Sequence, residues 1–136
     1  MQGEIDGHPL FAMIVSDLEK YPSKSRFPWL LSLSTPLIDP TPEGLPKGKD
    51  FDSVNEWEDG IEARIAKLDK YYYVGHVTWN GSREALFYLE KPEPIVSALK
   101  KVRDNHSTRP FDFRYEKDEG WKKMAPYTHI AHTSSK

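Results

Sequence analysis

One dipeptide constrains this chain more than any other feature. Asn80-Gly81 sits between two runs rich in aromatic and β-branched residues, Tyr71 to Trp79 and Ser82 to Leu89. Asn-Gly is a preferred pair for a two-residue type I′ turn, because both turn positions need positive φ and the turn's twist matches its strands. The spacing predicts a β-hairpin, and so tight a turn fixes the register. Counted outward, Trp79 faces Ser82, Val77 faces Glu84, Gly75 faces Leu86 and Tyr73 faces Tyr88 on one side. Thr78 with Arg83, His76 with Ala85, Val74 with Phe87 and Tyr72 with Leu89 take the other.

The rest of the chain is read around that hairpin. Pro9 to Val15 is short and apolar, as suits a strand covered on both faces. Leu18 to Pro28 mixes Pro, Ser and charges and reads as a loop. From Trp29 to Thr35 the pattern alternates, with Trp29, Leu31 and Leu33 pointing one way and Ser32 and Ser34 the other. Pro36 to Lys49 holds four Pro and two Gly and predicts a long connection without an element. A helix follows from about Asp50 to Leu68, where Phe51, Val54, Trp57, Ile61, Ile65 and Leu68 form one apolar stripe. Asp50 is its expected cap, and Gly60 costs it about 1 kcal/mol relative to Ala. Pro92-Glu-Pro-Ile95 opens a second helix with Ile95, Ala98, Leu99 and Val102 on its apolar face, ending near Asn105. Phe111 to Tyr115 alternates as a last strand. Trp121 and Tyr127 fall in a weakly patterned tail, and Thr133 to Lys136 is expected to be disordered. The order ββαββαβ predicts an α+β fold, with two helices on one face of a mainly antiparallel sheet and the other face open to a partner.

A chain of 136 residues makes one domain, its core spanning about 9–124 with a tail at about 125–136. Only 38% of it is hydrophobic and mean hydropathy is −0.69. Four Trp, seven Tyr and six Phe offset this, giving seventeen rings that build a core from few large pieces. The formal charge of −2 opposes nucleic-acid binding, which draws its affinity from a basic surplus. The absence of Cys excludes disulfides, thiolate metal sites and a cysteine nucleophile. No run approaches the apolar length of a membrane span. The acidic start, Met1 to Asp6, does not resemble a signal peptide, so a cytoplasmic location is expected.

Gly75-His-Val-Thr78-Trp-Asn-Gly81-Ser-Arg83-Glu-Ala-Leu-Phe87-Tyr88 resembles the Gly-x-x-Thr-x-x-Gly-x-Arg-x-x-x-Phe-Tyr hairpin of a bacterial family, the domain of unknown function 695. Phe27-Pro28-Trp29-Leu30-Leu31, Asp39 to Pro46, and Asp118-Glu-Gly-Trp121 resemble further segments of it, in the same order. The likeness runs from about Pro9 to Met124, and departs from the pattern at His76 and Ala85. The family is distantly similar to the bacterial regulator of ribonuclease E activity, form B. That resemblance implies a ferredoxin-like sandwich and a protein that acts by binding another protein.

Two sets of hairpin residues are candidate binding sites. His76, Thr78 and Arg83 share a face and could hold a carboxylate or phosphate through charge-assisted hydrogen bonds, or form an ordinary polar hairpin end. Tyr73, Trp79 and Tyr88 form an aromatic platform on the opposite face, suited to a protein partner if that face is open and to the core if it is not. His129-x-x-His132 has metal spacing but no nearby third ligand, while His8 and His106 read as lone surface histidines. The acids Asp50, Asp52, Glu56, Glu58, Asp59 and Glu62 crowd the first helix, as a solvated face or a contact for a basic partner. No nucleophile elbow, phosphate-cradling glycine loop or His-Glu-x-x-His motif occurs, so no catalytic residue, metal or cofactor is expected. The expected function is a non-catalytic protein-binding module that regulates or inhibits a partner enzyme. A small anionic-ligand binder or enzyme using the polar hairpin face, and an immunity-type protein neutralising a toxin, are the alternatives. A protein partner is expected, with a homodimer as one form, and neither nucleic acid nor membrane.

Overall fold

The computed structural model describes residues 2–5, 7–15, 24–106 and 109–125. The strands are β1 (Gln2–Ile5), β2 (His8–Ile14), β3 (Trp29–Pro36), β4 (Tyr71–Trp79), β5 (Ser82–Leu89) and β6 (Asp112–Lys117). The helices are α1 (Gly48–Leu68) and α2 (Glu93–Asp104), and short 3-10 turns occupy Lys24–Arg26 and Glu119–Met124. The strands form one sheet in the order β1-β2-β4-β5-β3-β6, and every neighbouring pair is antiparallel. The fold is α+β, as expected. β1 is additional to the predicted order, which began at Pro9, and it pairs with β2 at the sheet's edge. The tail beyond Ala125, with His129, His132 and the C-terminal four residues, lies outside the described residues.

Both helices pack on one face. Leu31 and Leu33 of β3 and Ala85, Phe87 and Leu89 of β5 share a core with Val54, Ile61 and Ile65 of α1 and Ile95, Leu99 and Val102 of α2. The predicted stripe on α1 holds at its centre and fails at its ends, where Phe51 and Leu68 are 52% and 43% exposed. The helix also begins before Asp50, with Lys47 at its cap position and no side-chain cap bond. Asp50 is buried, accepting from the Ile38 backbone N–H at 2.7 Å and from Arg109 at 2.8 Å. It ties the Pro-rich connection to the segment before β6. Gly60 is exposed with open space around it, so its only cost is entropic.

The hairpin register holds from Trp79↔Ser82 to Gly75↔Leu86 and then slips. Beyond Gly75 the partners are Tyr73↔Phe87, Tyr72↔Tyr88 and Tyr71↔Leu89, so a bulge at Val74 moves every outer residue of β4 to the opposite face from that predicted. The cause is the neighbouring strand. Gly75 has φ +143°, and a Cβ there would lie 1.9 Å from the Met13 carbonyl oxygen of β2. Only glycine permits that approach. β2 itself is covered on one face only: Leu10 and Ala12 are buried while Met13 is 67% exposed.

The sheet's second face has its own core, in which Leu10, Ala12, Leu30, Val74, Val77, Leu86 and Tyr88 meet Phe27, Trp121 and Met124. Trp121 is therefore core, not tail. Its ring stacks on Tyr88 at 4.2 Å and 11°, and its indole N–H donates to the Phe27 carbonyl at 2.8 Å. Asp118 accepts from the Tyr88 hydroxyl at 2.6 Å and from the backbone N–H groups of Lys122 and Lys123 at 3.1 and 3.0 Å. Trp121 adopts φ +57° to reach this position, a conformation that costs an ordinary residue about 1–2 kcal/mol. Burial and stacking of the ring outweigh that strain.

Candidate functional site

The residues of the polar hairpin face do come together, around a carboxylate absent from the predicted set. Glu58 lies four residues after Val54 and three before Ile61, so the helix turns it onto the sheet, where it is 7% exposed. A carboxylate so placed must be met by donors. Its Oε2 accepts from the Tyr73 hydroxyl at 2.5 Å and lies 2.9 Å from His76 Nδ1, while its Oε1 accepts from Arg83 Nη1 at 3.3 Å. Arg83, 4% exposed, also donates Nε to Thr78 Oγ1 at 3.0 Å and Nη1 to Asn55 Oδ1 at 3.3 Å. Thr78 and Arg83 are cross-strand partners beside the turn, and His76 follows two residues along the same face.

Burial pushes the Glu58 carboxyl up. Hydrogen bonds from His76 and Tyr73, with the charges of His76 and Arg83, more than reverse this and hold it below the usual carboxylate range. Tyr73 is shifted the opposite way, well above an ordinary phenol, by burial, its bond to Glu58 and the negative charges of Glu58 and Glu62. Facing a carboxylate, His76 Nδ1 is the donor, which leaves Nε2 outside that bond. Among the described residues Nε2 has no partner. The one sealed side-chain polar atom lacking a partner among them is Trp57 Nε1, so His76 Nε2 meets solvent. The Arg83 charge is met by Glu58 through Nη1, while its Nη2, like His76 Nε2, has no partner among the described residues.

The aromatic platform does not assemble. The bulge puts Tyr73 on the helix face, where it packs edge-on against Phe87 at 5.4 Å, while Trp79 and Tyr88 stay on the other. Tyr88 is fully buried beneath Trp121 and offers no surface. Trp79 is half-buried and meets the His8 ring edge-on at 5.9 Å. The acidic helix is likewise divided. Glu58 and Asp50 are buried and Glu62 accepts from Tyr71 at 2.9 Å, which leaves Asp52, Glu56 and Asp59 exposed.

The helix-free face is roofed by Glu119–Met124 over Tyr88 and is open beside it. A groove of about 460 Å³ there has Leu30, Ser32 and Leu86 as its floor and Met124 as one wall. Its rim carries two ion pairs, Arg114–Glu84 at 3.6 Å and Lys123–Glu116 at 2.7 Å. A shallower depression of about 230 Å³ continues past Ser34 and Asp112. A groove of that size, with an apolar floor and polar groups at its edge, has the form of a binding site. Its residues come from β3, β5, β6 and the final turn, so no local pattern could have grouped them. Among the described residues no cluster of three or more His, Asp or Glu could hold a metal, and no helix is long and apolar enough to cross a membrane.

The family of unknown function DUF695 has a model that matches residues 1–127, nearly the whole chain, and the chain belongs to that family. No curated protein and no solved structure matches it.

Proposed function

From membership of a family without an assigned activity, we propose that the chain is a non-catalytic protein-binding module whose partner docks in the groove on the helix-free face. The proposed role is regulation or inhibition of a partner enzyme in a bacterial cytoplasm. The groove carries the reading: apolar floor, charged rim and, among the described residues, no element over it. The strand order supports the finer fold assignment. In β3-α1-β4-β5-α2-β6 each helix connection skips one strand, so β5 and β3 lie at the centre with β4 and β6 outside. That order supports a ferredoxin-like sandwich, extended by the β1–β2 hairpin, and with it the distant likeness to the regulator of ribonuclease E activity.

Capture from a native lysate should return a stoichiometric protein. Glu84→Lys and Lys123→Glu, both at the groove's rim, should release it without moving the melting temperature. Recovery of the chain alone at native expression would end this reading. A second reading rests on His76, whose Nδ1 is held by Glu58 while Nε2 meets solvent, as in a small-ligand site or acid–base group. Thermal-shift screening of anionic metabolites would test it. A hit abolished by His76→Gln would favour it, and no hit across a broad panel would sink it.

A further inference from the structure

β6 is the last strand of the sheet and pairs only with β3. Among the described residues its outer backbone groups have no partner. Free edges invite pairing, and proteins blunt them with charge. Asp112, Arg114, Glu116 and Lys117 are the charges here, and their order does more than repel. We propose that β6 pairs edge to edge with β6 of a second copy of this chain, antiparallel, about a two-fold axis through Tyr115. This goes beyond the groove reading and does not depend on it.

Antiparallel geometry limits the registers. A residue whose N–H and C=O point outward must face another of the same kind, so residues paired across the axis differ by an even number. The axis therefore passes through a residue and never between two. Two registers use five of the six β6 residues: one centred on Arg114, one on Tyr115. The first opposes Arg114 to itself and Asp112 twice to the partner's Glu116, so every charged pair in it is repulsive, and only its two Phe113–Tyr115 pairs are favourable. The second opposes Arg114 twice to the partner's Glu116, Phe113 twice to the partner's Lys117, and Tyr115 to its own copy. Charge selects the second register, and the alternation that repels other strands becomes complementary to this one.

The flanking groups agree with that choice. Arg114 already lies 3.6 Å from Glu84, and Glu116 lies 2.7 Å from Lys123. Across the axis these pairs line up as Glu84, Arg114, the partner's Glu116 and the partner's Lys123, with every neighbour opposite in sign. On the helix side Tyr115 is 45% exposed, with Trp29 behind it at 6.2 Å. Two tyrosines meeting at the axis would cover an aromatic surface that the monomer leaves to water. The dimer is one continuous sheet with all four helices on one face and the two grooves side by side on the other.

Sedimentation velocity at increasing concentration should show a monomer–dimer equilibrium. Arg114→Glu or Glu116→Arg alone should weaken it about tenfold or more, since each turns two attractive pairs into repulsive ones. The doubly reversed chain, or an equimolar mixture of the two single variants, should restore it. Both side chains are well exposed, so circular dichroism should report an unchanged fold. Because the chain has no Cys, the Tyr115→Cys variant should give a specific cross-linked dimer under mild oxidation. It should form faster than with Ile38→Cys, although Ile38 is the more exposed of the two positions. A monomer up to about 1 mM, a dimer indifferent to both charge reversals, or a Tyr115→Cys variant that cross-links no faster than Ile38→Cys would each overturn the proposal.

Discussion

Glu58 and Asp118 are both buried carboxylates, each holding a tyrosine hydroxyl, on opposite faces of one hairpin. Their surroundings differ. Glu58 is reached from α1 and answered by Tyr73, His76 and Arg83, so two of its partners are cationic or can become so. Asp118 is answered by Tyr88 and two backbone N–H groups from its own turn, all neutral. A carboxylate satisfied by a local turn can be removed with mainly local consequences. One that neutralises a buried arginine from a distant strand leaves a charge behind when it goes.

The largest expected effect tests that difference directly. Glu58→Ala should destabilise the fold by about 3–5 kcal/mol, because Arg83 stays buried without its counter-charge. Glu58→Leu combined with Arg83→Met should recover much of the loss, and equilibrium urea unfolding of the three proteins measures both steps. If the double variant is no better than the single one, the charge account is wrong. Asp118→Ala should cost less, about 1–3 kcal/mol for the buried Tyr88 hydroxyl left without its acceptor. The same titration checks it, with Tyr88→Phe expected to relieve part of the penalty.

The pH response should separate the regions further. The Glu58 carboxyl is lowered in the fold, so its contribution is fully present above its unfolded value of about 4.3 and is lost as pH falls through the lower folded value. Glu58→Gln should flatten that acid limb of a stability–pH curve. Tyr73 and Tyr88 are both raised, by burial first and then by their carboxylate partners. Their contributions persist below the unfolded value of about 10 and are lost as pH rises through the folded ones. Tyr73→Phe and Tyr88→Phe should each shallow the alkaline limb, and an unchanged limb in both would contradict the hydrogen-bond assignments. The smallest effect is a control outside both regions: Gly60→Ala on the exposed side of α1 should raise stability by about 0.5–1 kcal/mol.

The contrast also explains what could be read without coordinates. The Asn80-Gly81 turn, the centre of α1, α2 and β3 follow from periodicity and turn chemistry, which act over a few residues. Gly75 is visible in the sequence as a glycine in a strand, yet the bulge it permits is imposed by the Met13 carbonyl of a strand far earlier in the chain. Counting outward from the turn puts Tyr73 and Tyr88 on one face, because the count cannot include that bulge. Glu58 does leave a signal: residues 54, 58, 61 and 65 keep the four-three-four spacing of a buried helix face, with one acid among three aliphatics. A charge at an apolar position asks for a partner, and Arg83 and His76 are candidates on the sequence alone. The Asp118–Trp121 turn has no period, so its role comes only with the packing.

The reach of Trp121 back to Phe27, ninety-four residues away, has a consequence for synthesis. A chain emerging from its amino end can form the hairpin once Leu89 is out, but Tyr88 lacks both its acceptor and its covering ring until the last turn follows. β3 likewise waits for β5, β2 for β4, and β6 then closes on β3, so every pairing but the two hairpins, β1–β2 and β4–β5, is distant in sequence. Folding dominated by such late contacts is slow, and it leaves one aromatic face uncovered for most of translation. A nascent chain stopped just short of Asp118 should therefore be the form most readily recognised by chaperones or cut by proteases.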